Sequence, residues 1–305
     1  MFRYQIATVL KKPQVQIKLL AITLLMCLNI YDQVRIVSGF AENFGKKGDL
    51  TVAVFLCHIF NYLDLYHMVI FVGFLLLIPD ILCEEHMERQ FLMLHRNRSS
   101  AAATACLRLL TFTALYVLWL VILSVLISGI MLRNFSMEWP HFIKVMMSTY
   151  SGQGSGWMMS LIMLPRGALQ YSPVMAAVLV VLRTFLGFCF LAELACLVRL
   201  LTGKIQNGVL SVAVLIAFEK FMYYSLGGGI LQYCKADADV SQAKMEIDLI
   251  KTTIVPFFTF RSMTDDFTEW LRYGIVAGFV LAAVTAFGIV WYYRKGDLGD
   301  ADRDA

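Results

Sequence analysis

The chain is short of charge. Only 16% of its 305 residues are Asp, Glu, Lys or Arg, whereas 59% are hydrophobic. Soluble domains carry about 25% charge, so a water-soluble core of this length is excluded. Several chemical signatures are missing as well. No G-x-x-x-x-G-K-[ST] loop occurs, so no phosphate cradle for ATP is encoded. Gly152, Gly154 and Gly156 form no nucleotide fingerprint, because no strand precedes them. The seven cysteines show no CxxC spacing, which supports neither a zinc site nor a redox pair. Cys234 alone falls in a loop, leaving no loop partner for a disulfide. HExxH is absent too.

What the sequence does have is six long apolar stretches: Leu19–Val37, Leu65–Cys83, Ala105–Leu132, Val174–Leu200, Gly208–Leu226 and Tyr273–Tyr293. A membrane-spanning helix needs about 20 mostly apolar residues. Barrel strands alternate apolar and polar residues, but Val174–Val181 and Leu115–Ile127 are apolar almost throughout. Lipid satisfies no backbone polar group, so these spans are expected to be helices. The predicted fold is all-α and polytopic, with a six-helix transmembrane domain over 19–293 and a tail over 294–305.

The first 18 residues alternate charge and apolar groups and lack a small-residue cleavage site, so no cleavable signal peptide is expected. Phe2, Ile6, Val9 and Leu10 share one helical face, with Arg3, Lys11 and Lys12 toward water. This predicts an amphipathic helix over 1–18 lying in the headgroup layer. Basic residues are densest in the short segments before the first span, between the second and third, and after the sixth. The positive-inside rule then places both termini in the cytoplasm, with the chain in the plasma (cytoplasmic) membrane.

The long segments 133–173 and 227–272 fall outside. The first contains a short apolar run, Trp157–Leu164, too brief to span. In the second, Val240, Ala243, Ile247, Ile250 and Ile254 repeat at helical spacing until Pro256. Thr51–Phe60 either extends the second span outward or turns back before it.

The densest charge cluster lies just inside the second span, over 84–100. Glu84, Glu85 and Arg89 come first, then the apolar quartet Phe91, Leu92, Met93 and Leu94, then Arg96 and Arg98. Ser99 or Ser100 is placed to cap the next helix. Acid early and base late suits a helix dipole. An apolar quartet outside the membrane suits a protein groove rather than water.

In these residues, and in Lys11-Lys12-Pro13 ahead of the first span, the chain resembles the permease subunits of ABC-2 type transporters. Their order is similar: an amphipathic N-terminal helix, six spans and a short coupling helix between the second and third. The glycine that follows the acidic residue in that family is missing, and Arg96-Asn97-Arg98-Ser99 replaces its proline turn. The resemblance implies a cytoplasmic ABC ATP-binding subunit docking on 84–98, which would carry ATP and Mg. It also implies a second permease chain, the same or a sister, within the lipid bilayer. Nucleic acid is not an implied partner, no catalytic residue is implied here, and export is the expected direction.

Two other classes of function compete. One is a structural or immunity-type membrane protein without transport, and the other is an ion-coupled carrier using Arg183, Glu193 and Glu219. Against the carrier, no unwound Gly/Pro pair recurs in matching halves. An enzyme reading is weaker still. Glu84-Glu85-x-x-x-Arg89 and Phe91-x-x-x-His95 resemble two motifs of CAAX-type intramembrane metalloproteases, but the later His-x-x-x-Asn/Asp element of that family is missing. A catalytic metal needs three ligands held in geometry.

Ionisable groups inside spans are costly and mark candidate sites. Arg183 and Glu219 each sit about 15 Å into consecutive antiparallel spans, which suits a midplane ion pair. Glu193, nearer the inner end, is expected to face Lys204 or the coupling segment, and Lys220 to snorkel outward. If the Arg183–Glu219 pair is structural, Arg183→Glu combined with Glu219→Arg restores both expression and transport lost in either single variant. A membrane-fraction blot and a flux assay on the three variants check this.

Overall fold

The computed structural model describes residues 11–43, 50–61, 66–82, 98–141, 143, 170–218 and 267–295. These form helices, with no strand among the described residues. In chain order they are α1 (Pro13–Asn43), α2 (Val52–Asn61), a π-helical turn (Tyr66–Phe71) running into α3 (Val72–Ile81), α4 (Arg98–Leu132), α5 (Pro173–Thr202), α6 (Ile205–Phe218) and α7 (Phe267–Lys295). Four are long and apolar enough to cross a membrane: α1, α4, α5 and α7. The second and fifth apolar stretches are described only as the shorter helices Val69–Ile81 and Ile205–Phe218. The protein is thus an all-helical membrane protein.

The long helices are apolar on both faces, and on α4 small and hydroxylated residues gather on the buried side. On α4, Ala102, Ala105, Leu109, Thr113, Tyr116, Leu120, Ser124 and Ser128 recur every three or four residues and are buried. Leu107, Leu110, Leu118, Ile122, Leu126 and Ile130 cover the opposite face and are exposed on the bundle, where acyl chains meet them. Small and hydroxylated residues inside let helices approach where water supplies no hydrophobic drive. The inward hydroxyls bond their own helix: Thr113 to the Leu109 carbonyl (2.9 Å) and Ser124 to the Leu120 carbonyl (2.8 Å).

Helix α1 begins earlier than its apolar stretch. Pro13, whose missing N–H costs nothing in a first turn, opens it, and Val15 and Gln16 donate to the Lys12 carbonyl at 3.0 and 3.1 Å. Residues 13–18 therefore continue into the long helix without a break; residues 1–10 lie outside the description. Helix α4 is already helical at Arg98, so Ser99 and Ser100 stand inside it rather than capping it. The Ser100 carbonyl accepts from Thr104 Oγ1 at 2.8 Å.

Helix α5 is the hub, packing on α2, α4 and α7. Ser172 caps its start by accepting from the Met175 N–H (3.3 Å), and Pro173 follows. Gly203 ends it at φ 71°, its N–H bonding the Arg199 carbonyl at 2.8 Å. That left-handed cap turns the chain directly into α6. The hairpin closes tightly: a Cβ on Gly208 would stand 2.3 Å from the Ala195 carbonyl oxygen.

Contacts fix helix directions. Lys18 and Ile22 of α1 meet Asp80 and Gly73 of α3, so those two helices are antiparallel. Phe112 and Tyr116 of α4 meet Phe74 and Ile70, again antiparallel. Glu193 and Leu197 of α5 meet Thr285 and Gly288 of α7, so those two run parallel.

Gly208→Ala is expected to force α5 and α6 apart and cost about 1–3 kcal/mol, the usual penalty of overpacking. The check is a lowered melting temperature in mild detergent, with Gly39→Ala, where a Cβ meets nothing within 4 Å, as the neutral control.

Candidate functional site

Three levels of side chains fill the bundle between α3, α4, α5 and α7. The central level is aromatic. Phe71 and Phe74 meet Phe188 of α5 at ring-centroid distances of 5.3 and 4.4 Å, and Tyr116 of α4 meets Phe188 edge-on at 5.6 Å. The Tyr116 hydroxyl donates to the Ile70 carbonyl at 2.6 Å. This bond sits at the change from π-helix to α-helix. There the hydrogen-bond register shortens by one residue and leaves a carbonyl to be met from outside the helix.

One and a half turns further along α5 lies the ionisable level. Glu193 is buried, and its Oε2 lies 2.8 Å from Thr285 Oγ1 on α7. Helices α5 and α7 thus meet at one carboxyl group, and α6 packs against α5 two residues further on, with Gly208 beside the Ala195 carbonyl. Arg183, Arg199 and Arg108 are buried too, at 2%, 4% and 7% exposure. Arg108 reads in the sequence as a basic residue entering the third span. It is buried about ten residues into α4, where Ala101, Ala102 and Ala105 already present a packing face.

The third level is the end of the bundle where α3 leads toward the charged elbow. Pro79 lies inside α3, and Leu82 closes it in an extended conformation. Lys18 Nζ of α1 bonds Asp80 Oδ2 at 2.6 Å and also the Leu76 carbonyl at 3.1 Å. The second helix is therefore pinned to the first within two turns of the elbow. At the opposite end, His58 Nε2 lies 3.1 Å from Gln33 Oε1, the Cys57 thiol lies 3.9 Å from the Pro173 carbonyl, and Trp139 Nε1 donates to the Tyr171 carbonyl at 2.7 Å.

Of the sequence-predicted residues, Arg183 and Glu193 are buried in the bundle as expected for intramembrane charges. Lys204 is exposed in the α5–α6 turn, and it is Thr285 that meets Glu193. Arg98 stands in the first turn of α4. Glu84, Glu85, Arg89, Phe91, Leu92, Leu94, Arg96 and Glu219 lie outside the described residues, as do Trp157–Leu164 and the segment 227–266. Among the described residues, no group of three or more His, Cys, Asp or Glu is arranged to hold a metal ion. No protein-family model, no curated protein and no solved structure matches the chain.

The Lys18–Asp80 pair is a positioning contact with little net stability. The two side chains are 33% and 15% exposed, and solvent-screened pairs contribute about 0–1 kcal/mol. A double-mutant cycle of Lys18→Ala and Asp80→Ala, read by thermal unfolding in detergent, is expected to give a coupling below about 1 kcal/mol that shrinks with salt. A coupling of several kcal/mol would place the pair in a dry environment.

Proposed function

We propose that this chain is the membrane-spanning permease subunit of an ATP-driven ABC-2 type transporter, exporting its substrate. In this reading a separate cytoplasmic subunit binds ATP and Mg, and two permease chains form the path. The observation that carries it is the apolar quartet Phe91–Leu94, set between acidic Glu84 and Glu85 and basic Arg96 and Arg98, directly between two membrane helices. A solvated loop obeying the positive-inside rule explains the arginines but not four consecutive apolar residues.

Helix directions support the layout. Because α7 runs parallel to α5, the chain between them has to return across the bundle, and α6 begins that return. The antiparallel arrangement of α1, α3 and α4 accounts for the second crossing in the same way. These directions are compatible with six crossings, and the distribution of basic residues supports both termini in the cytoplasm. The Lys18–Asp80 contact joins α1 and α3 near the end of α3 that leads toward the quartet in the sequence.

Purification from native membranes in mild detergent tests the reading. A nucleotide-binding ATPase is expected in stoichiometric amount. It should be lost when Phe91, Leu92 and Leu94 are changed to Ser, while the variant chain keeps its elution volume. A chain that comes alone under every gentle condition overturns the proposal, and moves the weight to a non-transporting membrane protein or an ion-coupled carrier.

A further inference from the structure

Thr285 differs from seven other hydroxyls inside the long helices. Thr23, Thr104, Thr113, Ser124, Ser128, Thr184 and Thr202 each donate to the carbonyl four residues earlier. The Thr285 hydroxyl has that same carbonyl in range, Leu281 at 2.9 Å, and Ala282 at 3.0 Å, but also the Glu193 carboxyl at 2.8 Å. A hydroxyl has one proton to give. If Thr285 makes the back-bond its relatives make, its lone pairs face Glu193, and the 2.8 Å contact requires that Glu193 carry the proton. If Glu193 is ionised, Thr285 must turn its proton to the carboxylate and release Leu281. The same heavy-atom positions therefore fit two hydrogen-bond arrangements that differ by one proton.

The surroundings do not force either one. No lysine, arginine or histidine is paired with Glu193 among the described residues, and the side chain that hydrogen-bonds it is Thr285. Arg108 on α4 and Arg199 on its own helix are buried but make no ion pair with it. Helix α6 carries no ionisable side chain over its described length. On α7 the nearest ionisable groups, Tyr292, Tyr293 and Arg294, lie seven to nine residues beyond Thr285. Cys57 and His58 of α2 sit at the far end of α5, beside Pro173. A lone carboxylate in such a place is expensive, and intramembrane carboxyls of this kind relay protons. Glu193 is nine residues from the Thr202 end of α5 and twenty from the Pro173 end, about 14 and about 30 Å.

We propose that Glu193 is a reversible proton-binding site, with Thr285 as the hydrogen-bond partner that serves both its states and the Thr202 end of the bundle as its route to water. The site stands independently of any ATPase partner. Since α5 and α7 form the most extensive helix pair in the bundle, loading and unloading this proton acts on the contact that joins them.

The test is infrared spectroscopy of the full chain in phosphatidylcholine vesicles, titrated from about pH 4 to about pH 9 to bracket ordinary and buried glutamates. A carbonyl-stretch band of a protonated carboxylic acid is expected at low pH, falling by at least half across the range. It should be absent in Glu193→Gln, which keeps shape and hydrogen bonding. Thr285→Val, which removes only the hydroxyl, should shift the same band in frequency, so the assignment does not rest on one variant. No Glu193-dependent band at any pH would show a permanently ionised group, and a band of constant height would show a permanently neutral one. Either result overturns the proposal.

Discussion

Lipid offers no hydrogen bond, and the architecture follows from that constraint. Most polar atoms brought into the bundle are met by another atom of the protein. The rule is visible at three scales. Single hydroxyls fold back on their own helix, as Ser124 and Thr184 do. A backbone irregularity is met by a neighbour, as Tyr116 meets Ile70. A carboxyl deep in the bundle is met across helices, as Thr285 meets Glu193. The outer surface, by contrast, is left to leucine, isoleucine and phenylalanine, which ask nothing of their surroundings.

Helix α5 concentrates these demands. It carries Arg183, Glu193 and Arg199, all buried, on a helix whose other buried positions include Ala176, Ala177, Ala192 and Ala195. Small residues bring the neighbouring backbones close, and closeness is what puts a partner within reach of each polar group. The rigidity of this region and its polarity have the same origin.

Much of this was readable in the residues, and the rest was hidden for identifiable reasons. Apolar stretches announce membrane helices because the bilayer sets a minimum length, so the all-helical membrane character was legible. Helix starts were less so. Hydropathy begins α1 at Leu19, but Lys18 can remain at the boundary by pairing with Asp80, and the helix runs back to Pro13. Arg108 read as a basic residue at the entry of the third span, and the structure buries it about ten residues into α4. Arg183 and Glu193 were found from the rule that intramembrane charge is costly. Thr285 could not be found so, since a threonine in an apolar run gives no sign of a contact 92 residues away. The elbow residues and Glu219, on which the transporter reading and the Arg183 pairing depend, lie outside the described structure.

That separation of 92 residues has a meaning for how the protein is made. Translation delivers α5 to the membrane with Arg183 and Glu193 on it, each costing about 2.5–3.5 kcal/mol at the middle of a helix during insertion. The threonine that receives Glu193 is still unsynthesised at that moment, and at about 5–20 residues per second it follows about 5 to 18 seconds later. Through that interval α5 depends on earlier helices for shelter, chiefly the hydroxyl-lined face of α4. The last helix is thus the one that completes the burial of the carboxyl, and a nascent chain stopped before α7 carries an unmet acid that an intact one does not.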